Sequence, residues 1–304
     1  MNFNSPSGRL AIPFVLIAIT GLMIGGQGTM WSAILLGIGL SGVFIIFLFR
    51  AQIHWYYYSK NPPPVSEELM KILHHKMPYF RQLTKENKIQ FMRRISIFSM
   101  CKDIESLSED TVPADIRGLI AAAAVQLTFG KDRYLLPNFK KIMVYPSLFR
   151  SVQNTNPHGS ETFLDEEHKH HSCLVFAADR LMLGVTDPAQ GYNIALHEMA
   201  MAYKIENNIK TDNIPYLNHP NIKTALAEIR GANYSVIKAF TQNKELDVFG
   251  LAIEHFFTRP ANFQNVLPDL YQYLCELLNQ NPLQGETPVL KDIDYSLLLE
   301  RHAF

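Results

Sequence analysis

Asn193-Ile194-Ala195-Leu196-His197-Glu198-Met199-Ala200-Met201 is the stretch on which the reading of this 304-residue chain turns. Turn residues precede it, Asp187-Pro188 and Gly191, and neither Gly nor Pro interrupts it, so a helix is expected. A helix carrying His followed by Glu is half of a metal-hydrolase pattern. In the full pattern a second His stands four residues after the first, on the same face. Both histidines reach one metal, and the Glu takes a proton from the metal-bound water. Here the fourth position is Met201. A His-Glu pair alone is common on helices that do no chemistry, so the surrounding sequence has to decide.

Working back from this helix, two short runs have the β-branched and aromatic character of strands, Lys141-Ile142-Met143-Val144-Tyr145-Pro146 and Cys173-Leu174-Val175-Phe176. Residues 153–171 between them are polar and rich in turn formers, and are expected to be an exposed loop. Three helix starts come earlier. Ser66 precedes Glu67 and Glu68, Thr84 precedes an apolar face of Ile89, Phe91, Met92, Ile95 and Phe98, and Pro113 opens an Ala-rich segment towards Gly130. After the His-Glu helix, further helices are expected over residues 221–240, 246–257 and 268–278. No internal repeat is evident. The pattern is that of a mainly helical α+β domain with a small sheet.

The first fifty residues are of another kind. Charged residues make up 18% of the chain, yet none lies between Arg9 and Arg50. Two apolar runs fill that gap, residues 10–26 and 30–49, parted by Gln27-Gly28-Thr29. A membrane-spanning helix needs about 20 mainly apolar residues, which the second run meets and the first, with Pro13, nearly meets. A buried core hairpin and a cleaved signal peptide are the alternatives; the length argues against the one, and the second run following at once argues against the other. Arg9, Arg50 and Lys60 flank the runs and the turn is uncharged, which puts both ends of the hairpin on the cytoplasmic side. If only one run spans, the domain lies on the opposite side. His54-Trp55-Tyr56-Tyr57-Tyr58 fits an aromatic belt at the interface. Asn61-Pro62-Pro63-Pro64 is a stiff spacer that no helix continues through. The expected organisation is a hairpin with interface segment at 1–60, a linker at 61–65, a domain at 66–285 and a tail at 286–304.

Composition excludes little else. There are 28 basic and 28 acidic side chains and no basic stripe, so nucleic-acid binding has no electrostatic support. The three cysteines, Cys101, Cys173 and Cys275, are odd in number and widely spaced, which implies no disulfide framework.

Several segments in order resemble one family. Asp187-Pro188-Ala189-Gln190-Gly191-Tyr192-Asn193 leading into Leu196-His197-Glu198-Met199-Ala200 resembles the core signature of the Mlc-titration-factor peptidases, the M90 group. Met77-Pro78-Tyr79-Phe80-Arg81-Gln82-Leu83 is similar to the opening helix of that family. Arg117-Gly118-Leu119-Ile120-Ala121-Ala122-Ala123 and Val144-Tyr145-Pro146 are similar to its central helix and strand, and Glu254-His255-Phe256-Phe257-Thr258-Arg259-Pro260 and Asn281-Pro282-Leu283 to its ending. The resemblance runs from about Leu73 to Leu283. It implies a bacterial zincin-like metallopeptidase domain, mainly helical with a small sheet; the apolar runs and their flanking cations add a two-helix transmembrane hairpin before it, expected in the bacterial inner (cytoplasmic) membrane with the soluble domain cytoplasmic.

The resemblance also assigns roles, position by position. His197 matches the first metal-binding histidine and Glu198 the general base. Met201 stands where the second histidine would be. Asp247, seven residues before Glu254, stands where the third ligand, a glutamate, would be. Phe240 takes the place of a tyrosine thought to assist the transition state, unless Tyr234 serves. Lys204 replaces an aspartate. A catalytic zinc site keeps three protein ligands and one open position, and His197 with Asp247 supplies two. A four-ligand zinc site binds with about 10–16 kcal/mol, so one lost ligand costs about 3 kcal/mol, about a hundredfold. His168, His170 and His171, beside Asp165, Glu166 and Glu167, offer a substitute ligand, though such a tract reads equally as a solvated loop. Two functions follow. One is a membrane-tethered, catalytically impaired family member that holds a protein or peptide partner in the former active-site groove; some members bind a transcriptional repressor of sugar uptake. The other is an active zinc peptidase with an altered ligand set. The cofactor is zinc if the site functions and none otherwise, and the membrane is met through residues 10–49.

Overall fold

The computed structural model describes residues 5–25, 30–106, 111–145, 161–164, 172–186, 193–214, 216–230 and 247–284. The chain falls into two compact units that divide between Pro63 and Pro64.

The first unit is a helical hairpin, α1 (Pro6–Gly25) packed on α2 (Met30–Leu48), followed by α3 (Arg50–Lys60). Among the described residues, α1 and α2 are the two helices long and apolar enough to cross a membrane. They approach closely because small residues face each other. A Cβ added at Gly39 would lie 2.6 Å from the Ala18 Cβ, so only glycine fits there. The Ser7 hydroxyl and His54 Nε2, 2.7 Å apart, join α1 to α3.

The second unit is mostly helical. Ser66 and Thr84 cap α4 (Glu67–Lys76) and α6 (Lys85–Cys101), their hydroxyls accepting from the Leu69 and Asn87 N–H groups. The short α5 (Pro78–Gln82) lies between them. The Ala-rich helix is α7 (Ala114–Thr128), and every residue from Gly118 to Thr128 is buried. Small side chains at 121–124 let α6 and α9 (Ile194–Glu206) pack on its two sides. An aromatic cluster of Tyr79, Phe80, Phe91, Phe129 and Phe257 fills the space beside it, with ring centroids 5.4–6.5 Å apart. The chain continues through α8 (Ala178–Thr186), α10 (Ile222–Arg230), α11 (Val248–Thr258), α12 (Pro260–Val266) and α13 (Pro268–Leu278).

The sheet has the order β1-β2-β4-β3, made of β1 (Asp103–Ser106), β2 (Lys141–Tyr145), β3 (Glu161–Leu164) and β4 (Ser172–Ala177). β1, β2 and β4 are parallel, with Ile104 beside Ile142 and Ile142 beside Leu174. β3 adds an antiparallel edge, Phe163 opposite Cys173. Alternate residues Ile104, Ile142, Val144, Leu174 and Phe176 are buried.

The two strands expected from sequence are β2 and β4. The sequence reading missed β1, whose four residues hold a single β-branched side chain and owe their extended form to pairing with β2. It also missed β3, inside the stretch expected to be loop throughout; pairing with β4 makes a strand of four residues there. The helix expected over 221–240 is described as far as Arg230, and its remainder lies outside the described residues. The helix expected from 246 starts at Val248, because Asp247 caps it.

Candidate functional site

The site is built where α9 packs against α11. Asn193 begins α9, its Oδ1 accepting from the Leu196 N–H at 3.1 Å. The Asn193 N–H in turn donates to Oε1 of Glu254, at 3.1 Å, from the facing helix. A buried carboxylate on α11 thus fixes the first turn of α9 and the position of His197 and Glu198 one turn on. Both of these side chains are buried, 6% exposed each. Met201 follows on α9, half-buried, and then Lys204.

Asp247 sits at the start of α11 and uses both carboxylate oxygens. Oδ1 accepts from the backbone N–H groups of Phe249 at 2.9 Å and Gly250 at 3.1 Å. Oδ2 takes the ammonium of Lys204, and both side chains of this ion pair are mostly buried. Three residues into α11 the backbone comes up against the imidazole. A Cβ on Gly250 would stand 2.4 Å from His197 Nδ1. Only a residue without a side chain lets the ring lie there.

His197, Glu198 and Asp247 are therefore brought to one seam, with Met201 and Lys204 on the same helix as the first two. Phe240, Tyr234 and the residues around His168, His170 and His171 lie outside the described residues. The described residues do not by themselves make up a zinc centre. Among the described residues no three His, Cys, Asp or Glu side chains stand close enough to hold a metal ion. Asp247, the second donor expected from sequence, spends its oxygens on a helix cap and a lysine. A thioether at position 201 suits soft Cu(I) rather than zinc.

Two further residues shape the seam. Glu254, 1% exposed, holds the start of α9, and Gly250 makes room for the His197 ring. The signal for Gly250 was present in the sequence as a lone glycine within the apolar run from Val248 to Phe257, a position that asks for close approach by a neighbour. Nothing local marked Glu254 as the partner of a backbone N–H sixty-one residues away.

The family model for glucose-regulated metallo-peptidase M90 matches residues 53–278, and the chain belongs to that family. Among curated relatives, the chain is 22% identical over 270 residues to the uncharacterized protein slr2042 of Synechocystis sp., a match covering 83% of this chain and 98% of that one. It is 27% identical over 109 residues to Mlc titration factor A of Escherichia coli, covering 32% of this chain and 41% of that protein. The same values hold for Mlc titration factor A of Shigella flexneri.

Proposed function

We propose that this M90-family protein has lost zinc-dependent peptide hydrolysis at His197 and acts as a membrane-attached binding or regulatory protein. One observation carries the reading. The Asp247 carboxylate is committed to two N–H groups of α11 and to the Lys204 ammonium, so it is not free to serve as the second donor beside His197. Met201 breaks the histidine pair, and Lys204 places a positive charge where a cation would have to bind. The apolar hairpin of residues 10–49 attaches the protein to a bilayer. The cations Arg9, Arg50 and Lys60 at the ends of the hairpin support a domain on the cytoplasmic face of a bacterial inner membrane. One relative is named for titrating Mlc, which makes a protein the class of partner to seek.

The second reading, an active zinc peptidase with an altered ligand set, is favoured by the retention of Glu198 beside His197, both buried. It requires Asp247 to leave Lys204 and a further ligand to join. Elemental analysis of the full chain, purified in detergent and dialysed, separates the two. The first predicts zinc well below one ion per chain and no loss of cellular function in Glu198→Gln. Near-stoichiometric zinc, with peptidase activity that Glu198→Gln abolishes, would establish the second.

A further inference from the structure

We infer that a small apolar pocket beside the start of α9 binds a short apolar carboxylate, of the kind found at the C-terminal residue of a peptide. The pocket lies where the end of α4, the middle of α7, the first turn of α9 and the last turn of α11 meet. Its volume is about 70 Å³. That is room for roughly five waters, or for one side chain of about the size of leucine. Its walls include Leu73, Leu119, Ala123, Leu196 and Phe257. Water gains little in such a place, since a buried water needs two to four polar partners. An aliphatic group gains the full benefit of leaving solvent.

Two polar side chains give the pocket its chemistry. Lys76, in the last turn of α4, is the single charged residue lining it; it is exposed and forms no ion pair among the described residues. Gln126, on α7, also lines it. It is 5% exposed, and its side-chain amide makes no hydrogen bond among the described residues. A side-chain amide lining the cavity can both donate to and accept from a ligand's polar group. A ligand with an apolar group, an adjoining amide and a carboxylate meets all three needs. The aliphatic part fills the cavity, the amide or carboxylate meets Gln126, and the charge meets Lys76. Neither His197 nor Glu198 lines the pocket, so the inference stands apart from the fate of hydrolysis.

The shared chemistry is an apolar carboxylate, and its source is either a peptide end or a free branched acid. Saturation-transfer NMR on the full chain in lipid nanodiscs tests it, with N-acetyl-leucine, N-acetyl-leucinamide and 4-methylpentanoate as probes. N-acetyl-leucine is expected to bind up to about fivefold more tightly than its amide, through the charge on Lys76. Lys76→Met, on an exposed side chain, should remove that preference while leaving the fold intact. Ala123→Leu fills the cavity and should weaken the acid about tenfold or more. Weaker binding of 4-methylpentanoate than of N-acetyl-leucine assigns the site to peptide ends; equal binding assigns it to free acids. Saturation by none of the probes, or binding unchanged in both Ala123→Leu and Lys76→Met, overturns the inference.

Discussion

The domain draws cations out of water in two regions by different means. Beside α7, Arg94 is 1% exposed and donates to backbone carbonyl oxygens. Its Nη1 donates to those of Phe129 at 3.0 Å and Lys131 at 2.9 Å, with Thr128 at 3.4 Å, and its guanidinium lies 4.6 Å from the centre of the Tyr134 ring. Lys102, at the end of α6, likewise donates to the carbonyls of Leu136 at 2.7 Å and Phe139 at 2.6 Å. At the α9–α11 seam, by contrast, Lys204 meets a carboxylate. The carbonyls that hold Arg94 lie at the last residue of α7 and in the turn just beyond it. Those that hold Lys102 belong to a turn in which Leu136 adopts a left-handed backbone, φ 48°. These two cations close the chain upon itself. Lys204 instead joins α9 to the start of α11.

The largest effect should follow from Arg94. Replacing it with Met removes the charged donor to the Phe129 and Lys131 carbonyls and leaves a large buried site to be filled by an uncharged chain. A loss of about 3–5 kcal/mol in urea unfolding, followed by circular dichroism, is expected. A loss as small as that of a surface substitution, about 0.5 kcal/mol, would mean that water replaces the guanidinium, and the contrast between the two regions would fail.

Lys102 sharpens the same contrast through pH. Burial pushes its ammonium down to about 7, against the opposing pull of the Cys101 thiol and of Glu206. Unfolded, the lysine keeps its proton up to its ordinary value of 10.5. Between these two values the unfolded chain binds more protons than the folded one, so stability rises with pH across the window and is insensitive to this group below it. The slope has an upper bound of about 1.4 kcal/mol per pH unit. Burial pushes the facing Cys101 thiol up to about 12, so it stays neutral throughout. Urea midpoints taken at neutral and at mildly alkaline pH should therefore rise in the parent chain. In Lys102→Met that rise should vanish.

What the sequence disclosed follows the range over which each cause acts. Helix starts at Ser66 and Thr84 were legible because a cap acts over three residues. The apolar helices α1 and α2 were legible because composition alone defines them. β1 and β3 were not, since pairing with distant strands makes them. The site divides in the same way. His197 and Glu198 announce themselves within one turn, and counting along the chain found Asp247. Neither spacing nor residue type told that its oxygens would cap α11 and hold Lys204, because that choice is made between helices. Gly250 and Glu254 owe their roles to the same meeting of α9 and α11.

The smallest expected effect tests what that meeting is worth. Asp247→Asn keeps an oxygen to accept from Phe249 and Gly250, since asparagine caps helices about as well as aspartate, while it removes the charge that Lys204 meets. Lys204→Met removes the other partner and leaves the cap alone. The side chains of the pair are 15% and 20% exposed, so the attraction is less screened than on an open surface, but it is opposed by the desolvation of both groups. A double-mutant cycle on these two changes should give a coupling of about 1 kcal/mol. Lys204→Met also frees Oδ2 of Asp247, yet His197 and Asp247 still make only two donors where a catalytic zinc site uses three. Added zinc should accordingly leave the unfolding midpoint of this variant where it was. A clear rise would show that the lysine alone had kept a competent ligand set closed, and would turn the reading of the seam from a lost site to a latched one.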